Sequence, residues 1–317
     1  MRVVNQDNNT DREKMAKRER LKNFGVNMKK FLAIVLLLGV SIKAHALPLG
    51  NPVEPRLFDD NCCFDSPLTI SQFGRGCYLE IGFYGDYVFN RHLENDVPSV
   101  IQDCEIMTNA GYLSLTICNL LDIFGTLGTT TISIHTFGDS VKVTPNLNAA
   151  LQRPFQLQSP TDFSWSVGAR FALIEYRCFG LGVEGQYFYS HPDLDYIHGA
   201  DTALVYPGDV SMKYQEWQGG VGAYYRVNFG CPSFASLVPY FGVKCSHAKL
   251  NLDNAEISLL APGQPIANTV RLRNCDSQKY IGYAIGLTAT VCDRLSLTLE
   301  GRFCDEKAFH LNGQLRF

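Results

Sequence analysis

Residues 79–89, 163–173, 179–189, 217–227, 281–291, 295–303 and 309–317 alternate apolar with polar or small side chains. A period of two is the signature of a strand, because successive side chains point to opposite faces. In FSWSVGARFAL, Trp165, Val167, Ala169, Phe171 and Leu173 share a face against Ser164, Ser166 and Arg170. In LSLTLEGRF, Leu295, Leu297, Leu299 and Phe303 oppose Ser296, Thr298, Glu300 and Arg302. Weaker copies cover 112–122, 130–137 and 238–249. One apolar face suits a soluble sheet lying on a core, as in a secreted β-sandwich. It also suits a barrel whose apolar face meets lipid. The clear segments have the ~9–11-residue length of a tilted membrane strand, against ~5–6 in globular sheets. Aromatic residues gather near segment ends (Tyr87 and Phe89, Tyr187 to Tyr189, Phe303, Phe309, Phe317), as interfacial girdles do.

Link lengths select the barrel. With 309–317 running toward the periplasm, the links 304–308, 250–279, about 190–213, 138–162 and 91–111 fall outside. The links 292–294, 228–237, 174–178 and about 123–129 fall in the periplasm. Four of the five outer links are long, and every inner one is short. A sandwich has no reason to sort its links by parity, whereas outer-membrane barrels do. The reading is all-β: a transmembrane antiparallel barrel of about 10–12 strands. The upper figure includes a hairpin of AEISLL and ANTVRL around Pro262-Gly263-Gln264-Pro265.

The start of the chain reads as export. Residues 1–27 are polar, either an N-terminal extension or a start codon assigned too early. Residues 28–46 read as a signal peptide: Lys29-Lys30, an apolar run from Phe31 to Ile42, and the small-x-small site Ala44-His45-Ala46, with cleavage between Ala46 and Leu47. That run is too short to span a bilayer as a helix, which needs ~20 residues. Residues 47–78 then form a cysteine-containing periplasmic segment and 79–317 the barrel.

Residues 1–46 hold ten of the 28 lysines and arginines and four of the 31 acids. The remainder carries 18 basic against 27 acidic side chains, a net charge near −9. An acidic surface argues against nucleic acid as a partner. All 11 cysteines follow residue 46, which for an exported chain predicts disulfides. The candidates are Cys62, Cys63, Cys77, Cys104, Cys178, Cys231, Cys275, Cys292 and Cys304, with pairing open. Cys62, Cys63, Cys77, Cys178, Cys231 and Cys292 fall on or near the periplasmic side, facing periplasmic partners or neighbouring barrels.

The polar faces carry Glu80, Asp86, Arg170, Glu184, Arg226, Glu300, Arg302 and Arg316, the candidate pore-lining residues. Both signs occur, so no ion preference can be read from them. Phe317 is the candidate assembly residue, a terminal aromatic on the strand that closes the sheet. Gly180-Leu181-Gly182-Val183-Glu184-Gly185 matches a dinucleotide fingerprint, but that motif needs a following helix to hold the phosphate. Here it sits inside a predicted strand, where the glycines relieve crowding. Gly138-Asp139-Ser140 lacks the nucleophile elbow of a hydrolase, and His135 and His310 read as structural. No enzyme activity, cofactor or metal is expected.

Several blocks resemble the chlamydial major outer membrane porin family: Leu47-Pro48-Leu49-Gly50-Asn51-Pro52-Val53-Glu54-Pro55, Gly82 to Phe89, Phe124 to Gly128, Trp165 to Arg170, Tyr214 to Gln218, Val238 to Lys244, and Glu300 to Phe317. The blocks keep their order from residue 47 onward, and this chain is shorter in the outer loops, as a paralogue. The resemblance implies an outer-membrane porin for passive diffusion of small hydrophilic solutes and ions, in contact with outer-membrane lipid. It also implies a disulfide cross-linked envelope role with links to other envelope proteins, a homotrimer, and up to 16 strands. The competing reading is a non-conducting structural or adhesive surface barrel. A barrel of 10–12 strands is narrow, since about eight strands leave a lumen filled by side chains.

Overall fold

The computed structural model describes residues 49–52, 54–57, 77–95, 101–137, 154–199, 210–231, 234–252, 256–259, 268–271, 273–291 and 294–317. Among them, ten long strands form one antiparallel wall: β1 (Cys77–Arg91), β2 (Ile101–Ile117), β3 (Leu121–Phe137), β4 (Asp162–Tyr176), β5 (Phe179–Ser190), β6 (Lys213–Tyr225), β7 (Phe234–Asn251), β8 (Ile281–Val291), β9 (Leu295–Phe303) and β10 (Glu306–Arg316). Each strand pairs with its chain neighbours, and β10 returns to β1 through Glu80↔Arg316, Tyr84↔Asn312 and Asp86↔His310. Closure leaves no long exposed edge, the state that lipid demands of a sheet.

The parity of the links holds. One end carries 92–100, 138–161, 191–212 and 252–280, together with the tight turn 304–305. The opposite end carries 118–120, 177–178, 226–233 and 292–294. Two boundaries move. The turn expected at 123–129 lies at 118–120, where Cys118 and Asn119 take left-handed φ values of 54° and 52°. The outer link 91–111 shrinks to 92–100, because β2 runs from Ile101. The AEISLL and ANTVRL stretches do pair, as Glu256–Leu259 with Asn268–Arg271, but as a separate two-stranded sheet. The wall therefore has ten strands, neither twelve nor sixteen.

Alternate side chains of the wall face out. Leu127, Phe163, Trp217, Ile281 and Ile285 are each more than half exposed and join a continuous apolar band. So large an exposed apolar surface suits hydrocarbon and is rare on a soluble monomer. Phe317 extends this wall, its N–H donating to the Leu79 carbonyl at 2.9 Å, and its ring is 64 % exposed.

Candidate functional site

The inward face of the barrel is the candidate site, and it is filled in three tiers. The lowest, at the short-link end, is built by residues preceding β1. Of the segment 47–78 expected in the periplasm, the described residues 49–52 and 54–57 run inside the barrel, which amends that placement. Leu49 is 1 % exposed, and its N–H donates to Glu300 Oε1 at 3.0 Å. A Cβ built on Gly242 would lie 1.7 Å from Leu49 Cδ2, and one on Gly220 would lie 2.1 Å from Leu49 Cδ1. These inward glycines are thus a floor cut to receive one leucine. Pro52 rests likewise on Gly182 and Gly222. Gly50, with φ of 64°, bends the segment under the Arg170 guanidinium.

A short 3-10 turn over Glu54–Arg56 follows. The Arg56 guanidinium donates to the Asn119 carbonyl at 3.2 Å and to Glu175 at 3.1 Å. Arg226 donates to the Arg56 carbonyl at 2.6 Å. Leu57 packs with Tyr224, Val238 and Tyr240. The segment is held by side chains from most of the circumference, and its apolar residues close the short-link mouth.

The middle tier is ionic. Arg170 donates to Glu184 at 2.5 Å and lies 3.6 Å from Asp122, while its charge sits 4.2 Å from the Phe124 ring centroid. Arg302 pairs with Asp86 and, at 3.0 Å, with Glu306. Lys244 pairs with Glu306 and, at 3.3 Å, with Asp305. Arg91 bridges Glu216 and Asp305, each at 3.5 Å. Arg316 reaches Glu80 at 3.9 Å. Burial of single charges is prohibitive, so they occur here as a network in which most groups have opposite neighbours. Nine buried carboxylates nevertheless face seven buried cations among the described residues. Buried oxygens of Asp122, Glu184, Glu216 and Asp305 have no hydrogen-bond partner within the described protein.

The upper tier, at the long-link end, is apolar. Ile106, Ile132, Ile134, Phe188, Tyr214 and Leu250 point inward from the wall. Leu93, Leu157, Leu194, Ile197, Met212 and Cys275 pack onto them from the links and the short strands there. An apolar constriction sheds water and bars ions without any charged gate.

All eight sequence-predicted lining residues turn inward, and each is at most 8 % exposed. The structure brings Glu80 together with Arg316, Arg170 with Glu184, and Asp86, Glu300 and Glu306 around Arg302. Arg226 stands apart, near Glu175 at the short-link mouth. Sequence reasoning missed Arg91, Asp122, Glu216, Lys244, Asp305 and Glu306. Asp122 and Lys244 share the inward parity of their strands and were findable that way. Arg91 and Glu306 lay past the strand ends as drawn from the sequence.

The remaining motifs resolve as strand features. Gly180 to Gly185 lie within β5, where Gly180 makes room for the Tyr224 ring and Gly182 for Pro52. His135 contacts Asp103 at 2.5 Å on a half-exposed rim, whereas His310 is buried beside Tyr84. Ser140 lies outside the described residues. Cys77, Cys104, Cys118, Cys245, Cys275 and Cys304 are thiols, and Cys178 is disulfide-bonded. Cys62, Cys63, Cys292 and the Cys231 side chain lie outside the described residues, as do the signal segment and residues 1–27.

Comparison with known proteins adds a lineage. The family model described as Chlamydia major outer membrane protein matches residues 28–101, 97–206, 193–270 and 264–317. The major outer membrane porin of Chlamydia psittaci is 29 % identical, over 92 % of this chain and 100 % of the relative. That of Chlamydia muridarum is also 29 % identical with the same coverage, and that of Chlamydia trachomatis serovar A is 28 % identical. Among solved structures, an outer membrane channel from Pseudomonas putida F1 overlaps 80 % of this chain and 100 % of its own. Its 10 % identity and TM-score of 0.34 carry no weight beside the strand pairing described above.

Proposed function

This chain belongs to the Chlamydia major outer membrane protein family, and on that premise we propose that it is an outer-membrane porin that rests closed. Small hydrophilic solutes and ions cross when two barriers yield: the 49–57 segment at the short-link mouth and the apolar constriction at the long-link end. The occupation of the lumen by residues 49–57 carries this reading. A ten-stranded wall encloses enough section for the ionic tier and that segment together, so the segment's departure frees space along charged walls. The relatives' printed name, major outer membrane porin, supports the solute-passage role. The barrel architecture and the family support a non-enzymatic protein.

The surplus of buried carboxylates gives an open lumen a negative potential, which favours cations. In a planar bilayer with a tenfold KCl gradient, the openings of the refolded chain are expected to reverse at a potential on the potassium side of zero. A reversal on the chloride side contradicts the charge argument.

A second reading, a non-conducting structural barrel, draws on the same filled lumen and on the cysteines. Cys77 is exposed at the short-link end and Cys304 is exposed at the other, which leaves both available to neighbouring envelope proteins. Envelopes alkylated at harvest and run without reductant are expected to show this chain in high-mass bands that collapse to monomer on reduction. A monomer before and after reduction removes the cross-linking role.

A further inference from the structure

The geometry points to a binding face for a phosphorylated membrane lipid on the outer wall of β4–β8 at the long-link end. Three levels are stacked there along the barrel axis. The lowest is aliphatic: Val183, Val221 and Val243 face out in one ladder row. Above it runs a band of rings. Tyr187 lies 5.6 Å from Trp165 and 4.3 Å from Trp217, and Trp165 lies 5.8 Å from Tyr189. Trp217 is opposite His247 in the ladder, and His247 stacks on Tyr280 at 5.9 Å with an interplanar angle of 16°.

Basic side chains sit directly above or against the rings. Lys213 lies 5.8 Å over the Tyr189 ring, and His191 meets the same ring at 6.3 Å. Lys249 is exposed two residues beyond His247, and Lys279 is exposed beside Tyr280. Asp276 stands opposite Lys249 and answers part of its charge, and it also lies 3.5 Å from His247.

The opposite wall differs. At the same end β2 turns Asp103 and Glu105 outward, and β3 turns out Thr129 and Thr131. The aromatic side thus carries Lys213, Lys249 and Lys279, with Asp193, Asp195 and Asp276 also exposed at its rim, and the other side turns out acidic and polar groups. Aliphatic, then aromatic, then cationic is the complement of an acyl chain, a sugar or glycerol body, and a phosphate. Rings belong at the headgroup level, and clustered lysines there read as recognition of anionic lipid. The occupant is a lipid-borne phosphate headgroup such as that of lipid A, held by Lys213, Lys249 and Lys279 over the Trp165–Tyr187–Trp217 band.

The chain has two tryptophans, and both lie in this band, so intrinsic fluorescence reports the site directly. The full mature chain is refolded into phosphatidylcholine with brominated acyl chains, which quench both indoles. Adding bisphosphorylated lipid A is expected to displace brominated lipid and relieve the quenching. Dephosphorylated lipid A and inorganic phosphate are expected to do nothing. The Lys213→Glu, Lys249→Glu, Lys279→Glu variant is expected to need more lipid A, by about fivefold for each lysine. Heat-modifiable mobility checks that the variant is still a closed barrel, and the single Lys213→Glu change serves if the triple variant does not refold. The idea fails if the folded variant matches the parent. It fails equally if the dephosphorylated lipid works as well, or if inorganic phosphate alone relieves the quenching.

Discussion

A chain lacking residues 49–57 and carrying Ile197→Asp is expected to hold a steady current in a planar bilayer, where the intact chain gives rare, brief openings. The segment's hold on the lumen rests largely on Leu49 and Leu57, both buried. Each contributes about 1.5–3 kcal/mol. Together they approach the ~5.5 kcal/mol that carries a two-state equilibrium from 1:99 to 99:1. Losing them therefore suffices to empty the short-link mouth. Ile197, 2 % exposed in the apolar constriction, is the second barrier. A carboxylate there draws in water and removes the dewetted gap. Either change alone leaves one barrier standing, and flickering is expected. A silent recording from the combined variant, with heat-modifiable mobility intact, overturns the gated porin and leaves the structural barrel.

Arg302→Met is expected to cost the barrel roughly 3–5 kcal/mol, the usual penalty for stripping one partner from a buried ionic group. Arg302 faces Asp86, Glu300 and Glu306 together. Lys244 still holds Glu306 after the change, but Asp86 loses its paired cation. The measurement is the urea midpoint of unfolding in detergent micelles, followed by the heat-modifiable gel shift. Arg316→Met supplies the contrast. Its contact with Glu80 is longer, at 3.9 Å, and it lies at the wetter mouth with its charge also over the Tyr78 ring. Its midpoint is expected to fall by less than half as much. Equal losses at the two positions would mean that the middle tier is as wet as the mouth.

The wall was legible because over most of their length β4–β10 put apolar side chains toward lipid and polar or small ones inward. The first part of β2 and the end of β3 broke the reading for a physical reason. They project beyond the apolar band, so Asp103, Glu105, Thr129 and Thr131 face out, while Cys104, Ile106, Ile132 and Ile134 face in. The alternation persists there with its phase inverted, so 130–137 reads only as a weak copy and the start of β2 as part of a link. The lining charges were likewise legible by parity. Their pairing was not, since Arg302 and Asp86 meet only when the wall closes. The lumenal segment was the least visible feature: 49–57 has no periodicity, and its partner is a set of missing side chains. Four glycines on the inward faces of β5, β6 and β7 were its one trace, and they read naturally as relief of crowding.

The meander gives the barrel an order of events. Within the ten-stranded wall every ladder joins neighbouring wall strands in chain order except the seam between β1 and β10, whose partners stand farthest apart and carry the steepest closure entropy. While that seam is unsewn the sheet is a curling ribbon, and Leu49 can settle onto Gly220 and Gly242 from the open side. Once β10 docks, the same leucine is walled in. The cork is thus fitted before the bottle is finished, and a mature barrel would surrender it far more slowly than a nascent one would take it up.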